Sequence, residues 1–378
     1  MNVLQVELKS QLEKFCLAKI EPFMEHDDEK EEFRMEIFTE LGQLGFCGIT
    51  LPEKYGGAGL TYGDCAVALE EIAKYSVAYS VTVSVSIMVQ SIINDFGTEK
   101  QKTTLLPSLT SGSEIGAFCL SESSAGSDAG SLKTTAKKVE GGYNINGTKL
   151  WISSAGIAKT YIVMARTGGE GSKGISAFIV RDGAKGLSFG KKEKKMGWRA
   201  SPTREVIFEN CFVPDENILI GEGQGFKVAM AALDKGRITI GAIGVGLSQR
   251  ALDESVKYSL TRQQFNHAIF EFQGLQFMMA DMACEIEASR LLVQEAARLY
   301  DAGTPNSKIA SFAKLKSTDT AMKVTTDAVQ ILGGVGYTRE YPLERFMRDA
   351  KVLQIVEGTN QVQRVVIARQ LKKEYTTY

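Results

Sequence analysis

Histidine is almost missing from this chain: only His26 and His267 occur in 378 residues, far apart in sequence. Imidazole clusters around a metal and Ser-His-Asp catalysis therefore have almost no material, and both histidines read as surface or packing residues. Proton chemistry, if the protein performs it, falls to a carboxylate. Cysteine is thinly spread: Cys16, Cys47, Cys65, Cys119, Cys211 and Cys284 lie far apart, with no C-x-x-C pair. In a chain this long that argues for reduced thiols rather than a disulfide framework. An uninterrupted apolar run of 18 residues is also absent, and the N-terminal MNVLQVELKSQLEKF mixes both charge signs without an apolar signal core. The expected home is a reducing interior, the cytoplasm in a bacterium. Excess charge is missing too, with 44 basic against 45 acidic residues and a net charge of −1. Nucleic acid and anionic membranes reward a basic excess, so neither is expected as the main partner.

What is present is ample core material, 44% hydrophobic and 24% charged residues, in a chain long enough for two or three joined domains. Its texture changes twice. Up to residue 112 apolar residues recur at helical spacing, as in Ile37, Leu41 and Leu44, then Leu69, Ile72 and Ala73, on either side of the turn-rich LPEKYGGAGLTYGD. Residues 113–222 carry short β-prone runs, IGAFCL, TYIVMAR, ISAFIVR and REVIFENCF, and predict a small, barrel-like β domain. Within it YNINGTKLW reads as a hairpin turning at Asn146-Gly147. Residues 223–378 are helical again, with a core stripe of Leu275, Met278, Met279, Met282, Ile286 and Val293 and a final amphipathic helix over QVQRVVIARQLKK. The predicted fold is mainly α with a central β domain: an N-terminal helical domain, the β domain and a C-terminal four-helix bundle.

That order is unlike a doubly wound nucleotide-binding fold, which alternates strands and helices. GEGQG (Gly221 to Gly225) reads accordingly as a linker turn, and GAIGVG (Gly241 to Gly246) as small residues permitting close helix packing.

Eight segments, in order, resemble the acyl-CoA dehydrogenase family: CLSESSAGSDAGSLKTTA, NGTKLWIS, MGWRASPTREVIFENCFVP, LDKGR, TRQQF, QILGGVGY, RDAK and VEGTNQVQR. The resemblance implies α,β-dehydrogenation of an acyl-CoA with FAD as cofactor. Glu357 of the E-G-T triplet takes the position of the family's base, which removes a weakly acidic α-hydrogen in a poorly solvated pocket. The residues alone leave a second reading open, in which Glu357 is an acid favouring a helix N-terminus and Gly358-Thr359 form its start and cap. Some branched-chain and long-chain members carry the base before the arginine of the L-D-x-x-R segment. Gly236 stands there in this chain, which favours Glu357.

On the same resemblance Leu120, Ser121, Trp151 and Ser153 cradle the isoalloxazine, with Thr359 and Gln361 completing the flavin side. Arg262, Phe265 and Gln273, together with Gln330, Gly333 and Gly334, match residues that hold the FAD diphosphate and adenosine from a neighbouring subunit. A homotetramer, a dimer of dimers, is thereby expected. Ser127, Asp234, Arg237 and Gly358 fall on the substrate side. The thioester carbonyl is expected to be polarised by the backbone N–H of the catalytic glutamate and a ribityl hydroxyl. For Trp151 an ordinary packed aromatic is the alternative, and for KKEKK (Lys191 to Lys195) a solvated loop stands against a CoA phosphate contact.

Two departures stand out. Ser123 replaces the family's usual proline after Glu122, which predicts a relaxed turn beside the flavin, and Asn266 replaces a usual glycine. The run from KGISAFIV to KKMGW is similar to short branched-chain members acting on isobutyryl-CoA, while LDKGR looks like straight short-chain members. A short acyl-CoA substrate is expected, with electrons passing to an electron-transferring flavoprotein. Carrier-protein-bound acyl thioesters and a non-catalytic thioester-binding role are the alternatives.

Overall fold

The computed structural model describes residues 1–304 and 307–376. Helices α1 (Val3–Lys19), α2 (Met24–Lys30), α3 (Met35–Gln43), α4 (Tyr62–Tyr75), α5 (Val77–Phe96) and α6 (Glu99–Thr110) come first. Their starts are encoded locally. Thr61 with Asp64, and Thr98 with Gln101, form capping boxes that satisfy otherwise orphaned N–H groups of α4 and α6. Helix α5 is the most apolar of these helices. Its serines and threonines interrupt any strict apolar run, yet an 18-residue window has a mean hydropathy of 1.4, enough by length and composition to cross a membrane. Its burial, 89% of that window, accounts for the apolarity: α5 is a core helix packed on α4, α7 and the first strand.

The β region consists of β1 (Gly116–Cys119), β2 (Thr135–Val139), β3 (Gly142–Ser153), β4 (Thr160–Arg166), β5 (Ile175–Arg181), β6 (Leu187–Phe189), β7 (Thr203–Pro214) and β8 (Ile218–Leu219). The strand order is β6-β7-β3-β2-β4-β5-β8, with β1 parallel to β4. A single parallel pair, Thr135 with Arg166, joins β2 to β4, so the sheet falls into two halves. Strands β4 and β5 are buried almost throughout, as their unbroken apolar runs require.

The expected hairpin at Asn146-Gly147 is not formed. Strand β3 runs straight through those residues, and the chain reverses instead at Glu140-Gly141, where Gly141 has φ +74. Asn146-Gly147 marks a β-bulge, a register shift against β7. Asn146 Oδ1 accepts the Asn210 N–H at 2.8 Å, and a Cβ on Gly147 would stand 2.6 Å from Thr134 Oγ1. The glycine answers a close approach rather than a two-residue turn.

Helices α7 (Gly225–Thr261), α8 (Gln273–Asp301), α9 (Ser307–Leu332), α10 (Gly334–Tyr337), α11 (Leu343–Leu353) and α12 (Asn360–Thr376) complete the chain. Helix α7 packs on α9, α8, α4 and α5. Its GAIGVG segment serves close packing: a Cβ on Gly246 would collide with the Glu70 carbonyl of α4, and one on Gly244 would press on the Ser317 carbonyl of α9 at 3.1 Å. Met279, Met282, Ile286 and Val293 of the α8 stripe are buried, while Leu275 and Met278 are half-buried. The expected amphipathic burial of α12 is not met within one chain. Only Asn360 and Gln363 are buried, and Val365 and Leu371 face outward.

Candidate active site

Glu357 lies in the turn between α11 and α12, before the helix rather than in its first turn. Its backbone is left-handed at φ +55, followed by Gly358 at φ +83. Thr359 caps α12, its Oγ1 accepting the Val362 N–H at 3.2 Å. The capping reading therefore describes Thr359, and leaves Glu357 in a conformation that an L-residue adopts at a cost of about 1–2 kcal/mol. Such strain persists where the surroundings enforce it. Gln363 Nε2 donates to the Glu357 carbonyl at 3.1 Å and the Gly358 carbonyl at 2.9 Å. Lys314, fully buried on α9, donates to the Gly358 carbonyl at 3.0 Å and to Asn360 Oδ1 at 2.8 Å.

The turn aims the glutamate at α7. A Cβ on Gly236 would collide with Glu357 Oε2 and stand 2.9 Å from Met88 Cε of α5. A second carboxylate side chain at Gly236 is sterically excluded while Glu357 holds this position. Glu357 Oε2 is shut off from solvent and has no hydrogen-bond partner, and the Glu357 N–H likewise makes no hydrogen bond among the described residues. Burial pushes the carboxyl up to about 7, against the opposing pull of the Lys314 and Arg237 cations. Burial in turn pushes Lys314 down from the usual ammonium range, countered by Glu357 and Asp319. Arg237 is buried, its Nη1 donating to Asp234 Oδ1 at 2.6 Å and its Nε unpartnered.

A second group forms on the sheet. Leu120 is buried, Ser121 half-buried, and the Ser121 carbonyl accepts the Leu150 N–H at 2.9 Å. A second register shift in β3, between Lys149 and Ile152, puts Trp151 at φ +56 with its side chain 57% exposed. Trp151 is thus turned out of the sheet rather than packed on it, the usual consequence of a bulge that re-aims a side chain. Half-buried Ser153 follows, paired with Thr203 of β7. Beneath them lies a buried ion pair that sequence reasoning overlooked. Lys149 Nζ donates to Glu122 Oε1 at 2.7 Å and to the Leu120 carbonyl at 3.1 Å, while Glu122 also accepts the Lys133 and Thr134 N–H groups. Its signal was an inward-facing lysine in a strand. Mutual backbone hydrogen bonds between Glu122 and Ala125, both 3.1 Å, close the turn at Ser123.

A third group gathers where α7 gives way to α8. Arg262 ends α7, exposed and without a side-chain partner among the described residues. It borders a cavity of ≈ 520 Å³ together with Tyr258, Thr261, Val335, Glu340 and Tyr341. Phe265, 85% exposed and left-handed at φ +54, touches Phe272 beside Gln273 at the start of α8. Gln330 is exposed near the end of α9, and a Cβ on Gly333 or Gly334 would meet nothing within 4 Å. Thr359 is half-buried beside the Glu357 turn, while Gln361 and Ser127 are exposed. The KKEKK run is partly anchored: Lys194 pairs with Glu31 at 2.9 Å, Lys192 and Lys195 donate to backbone carbonyls, and Lys191 is exposed. The six cysteines are unpaired, five of them buried.

Residues 4–113, 117–211 and 223–372 match the N-terminal, middle and C-terminal domains of acyl-CoA dehydrogenase in turn. This chain belongs to the acyl-CoA dehydrogenase family. It is 43% identical over 372 residues to the mitochondrial isobutyryl-CoA dehydrogenase of Dictyostelium discoideum, covering 98% of this chain and 89% of that one. It superposes on the butyryl-CoA dehydrogenase of Megasphaera elsdenii with a TM-score of 0.96 at 42% identity, covering 98% of each chain. A chain from structural work on the electron transferring flavoprotein of Acidaminococcus fermentans gives 0.97 at 46% identity, again over 98% of each. Acyl-CoA dehydrogenases are FAD-dependent oxidoreductases, and within the family this chain resembles short-chain members. Glu357, Gly236 and Lys314 of this family member come together from α7, α9 and the α11–α12 turn.

Proposed function

We propose that this acyl-CoA dehydrogenase oxidises a short acyl-CoA, straight or branched, to its trans-2-enoyl-CoA, with Glu357 as the base. The observation that carries this reading is the solvent-shielded, unpartnered Oε2 of Glu357, held in a left-handed turn against Gly236. A carboxylate oxygen kept from water and from competing donors has its lone pairs free for a carbon acid. Its proton affinity, lifted to about 7, suits it both to take a proton and to release it between turnovers. The unpaired Glu357 N–H is a donor available to the thioester oxygen, where negative charge gathers as the α-proton leaves. Arg237, paired with Asp234, faces the base, and the family resemblance assigns Asp234, Arg237, Ser127 and Gly358 to the substrate side.

The residues suit FAD by their chemistry. Trp151 offers an exposed ring, and Leu150 beside it is hydrogen-bonded to Ser121, next in sequence to Leu120, while Ser153, Thr359 and Gln361 supply further polar groups. Arg262 offers an unpaired guanidinium for a diphosphate, Phe265 an apolar surface, and Gly333-Gly334 backbone open to close approach, with Gln273 and Gln330 alongside. When bound, FAD supplies the two-electron acceptor for the β-hydride. Glu357 removes the α-proton, the C–H electron pair becomes the new α,β double bond, and the adjacent cations Lys314 and Arg237 face the changing charge. Electrons then pass to an electron-transferring flavoprotein. A homotetramer, with Arg262 and its neighbours reaching the cofactor of an adjoining subunit, gives outward-facing Phe265, Val365 and Leu371 a partner. A reducing compartment, cytoplasmic in a bacterium, agrees with six unpaired cysteines.

The short-chain preference is supported by Met88, which stands beside the base, and by a buried Ser84–Thr239 hydrogen bond of 2.8 Å linking α5 and α7 one turn beyond. Anaerobic visible spectra with a panel of acyl-CoAs test the proposal: short chains bleach the oxidised flavin band, and the fastest one settles straight against branched. A flavin band indifferent to every acyl-CoA would instead direct attention to carrier-bound thioesters or to a silent relative. Glu357→Gln is expected to retain FAD and lose at least ~10²-fold in bleaching rate. Near-normal bleaching in that variant would remove Glu357 as the base.

A further inference from the structure

We propose that Lys314 is a positioning residue for the base: from the core of α9 it clamps the left-handed turn carrying Glu357 and sets a buried positive charge facing its carboxylate. This rests on Glu357 being the base.

Lys314 sits among the small buried side chains Ala310, Ala313, Ser317 and Ala321, where a methionine or alanine would meet no electrostatic penalty. Burying an ammonium costs several kcal/mol after relaxation. Its hydrogen bonds are all to neutral oxygen atoms, the Gly358 carbonyl and Asn360 Oδ1, and so do not discharge that penalty by ion pairing. Both acceptors lie within three residues of Glu357, in the segment that leads from its turn into α12. Asn360 is tied in turn to Asp319 at 2.6 Å, and the Gly358 carbonyl also accepts from Gln363. The lysine thus holds the turn from beneath while Gln363 holds it from α12.

The charge, present at pH below about 7 where Lys314 keeps its proton, has a second effect. The charged groups facing this turn are Lys314 and Asp319 of α9, Arg237 of α7, itself engaged by Asp234, and Arg364 of α12, which pairs with Asp319 at 3.1 Å. Met88 on α5 adds no charge. Arg237 and Asp319 each have an ion-pair partner in Asp234 and Arg364, whereas Lys314 makes no ion pair, and of the two carboxylates that act on it Glu357 has the larger effect. The Lys314 charge favours the carboxylate, the form that accepts the α-proton.

Rapid anaerobic reduction of the holoenzyme by its fastest acyl-CoA, followed against pH, separates these effects. Lys314→Gln retains a donor but no charge; its limiting rate is expected to fall about 10- to 100-fold. Its acid limb should move to higher pH, with substrate affinity little changed. Lys314→Arg restores the charge and should return the limb towards its original position. Gln363→Leu removes a clamp without removing charge, and should slow reduction while leaving the limb in place. A Lys314→Gln enzyme with the rate and pH profile of the parent overturns the proposal, as does a loss of rate with an unmoved acid limb that arginine fails to rescue. Should Lys314→Gln not retain FAD, the Lys314→Arg profile decides alone: a limb displaced as far as charge removal would displace it overturns the charge role. Normal reduction in Glu357→Gln would fault the base assignment itself, a separate result.

Discussion

At the scale of single residues, Glu357 pays for its chemistry in stability. Its folded-state carboxyl binds a proton more tightly, at about 7, than the ordinary value of 4.5. Below 4.5 both folded and unfolded forms are protonated and the residue is neutral in the balance. Between 4.5 and 7 the folded form carries the extra proton, so stability falls as pH rises, and above 7 the loss is constant. Glu357→Gln is therefore expected to be more stable than the parent at pH 8, by about 1–2 kcal/mol, and nearly equal to it at pH 4.5. Denaturant titrations of the two holoproteins at those pH values measure this; an advantage that grows on acidification would reverse the sign of the argument. Gly236 belongs to the same balance, since an added side chain there would displace the carboxylate.

At the scale of elements, the decisive features are irregularities. Strand β3 is broken twice against β7, at Asn146-Gly147 and at Leu150-Trp151, and the second break turns Trp151 outward. The buried Lys149–Glu122 pair ties that strand to the segment bearing Leu120 and Ser121. Lys149→Met would leave Glu122 buried without its cation, and is expected to cost about 3–5 kcal/mol and to loosen FAD, since both halves of the proposed flavin cradle share this tie. Flavin release during urea titration measures it; a variant with unchanged midpoint and flavin content would show the pair to be dispensable. Other motif segments act between elements. Trp198 of MGWRAS donates its N–H to Asp349 of RDAK at 2.6 Å and its Nε1 to the Asp349 carbonyl at 3.0 Å, and Arg348 reaches Asp28 of α2 at 2.7 Å. These residues join the N-terminal helices, the sheet and the bundle, and lie apart from the proposed chemistry.

At the scale of the whole molecule, one chain leaves open the groups that the proposed tetramer would cover. Arg262, Phe265 and Gly333-Gly334 are open, and α12 keeps Val365 and Leu371 outside. If the cofactor is shared across subunits as proposed, flavin content and oligomeric state fall together on dilution, and Arg262→Ala shifts both to higher protein concentration. Light scattering with in-line flavin absorbance tests this; monomers that keep all their flavin would end the shared-site reading.

Much of this protein was legible in one dimension because the signals involved are local. Helical and strand periodicity separated helical, β and helical blocks, since burial on one face repeats every 3.6 or 2 residues wherever the chain is packed. Thr61 and Thr98 announce their helices because a cap bonds only a few residues ahead. The motif resemblance supplied Glu357, which composition alone left as a helix-terminal acid. What sequence could not decide depends on approach between distant segments. Asn146-Gly147 has the residues of a tight turn, and became a bulge where Thr134, just before β2, crowds Gly147 and Asn210 of β7 donates to Asn146. Lys314 reads as one more lysine on a helix until α12 brings Gly358 and Asn360 against it. The surroundings of Glu357 are likewise tertiary: its burial, its freedom from hydrogen-bond partners and its charged neighbours come from α7 and α9. Periodicity and capping are properties of neighbours along the chain; desolvation and electrostatic field depend on neighbours in space.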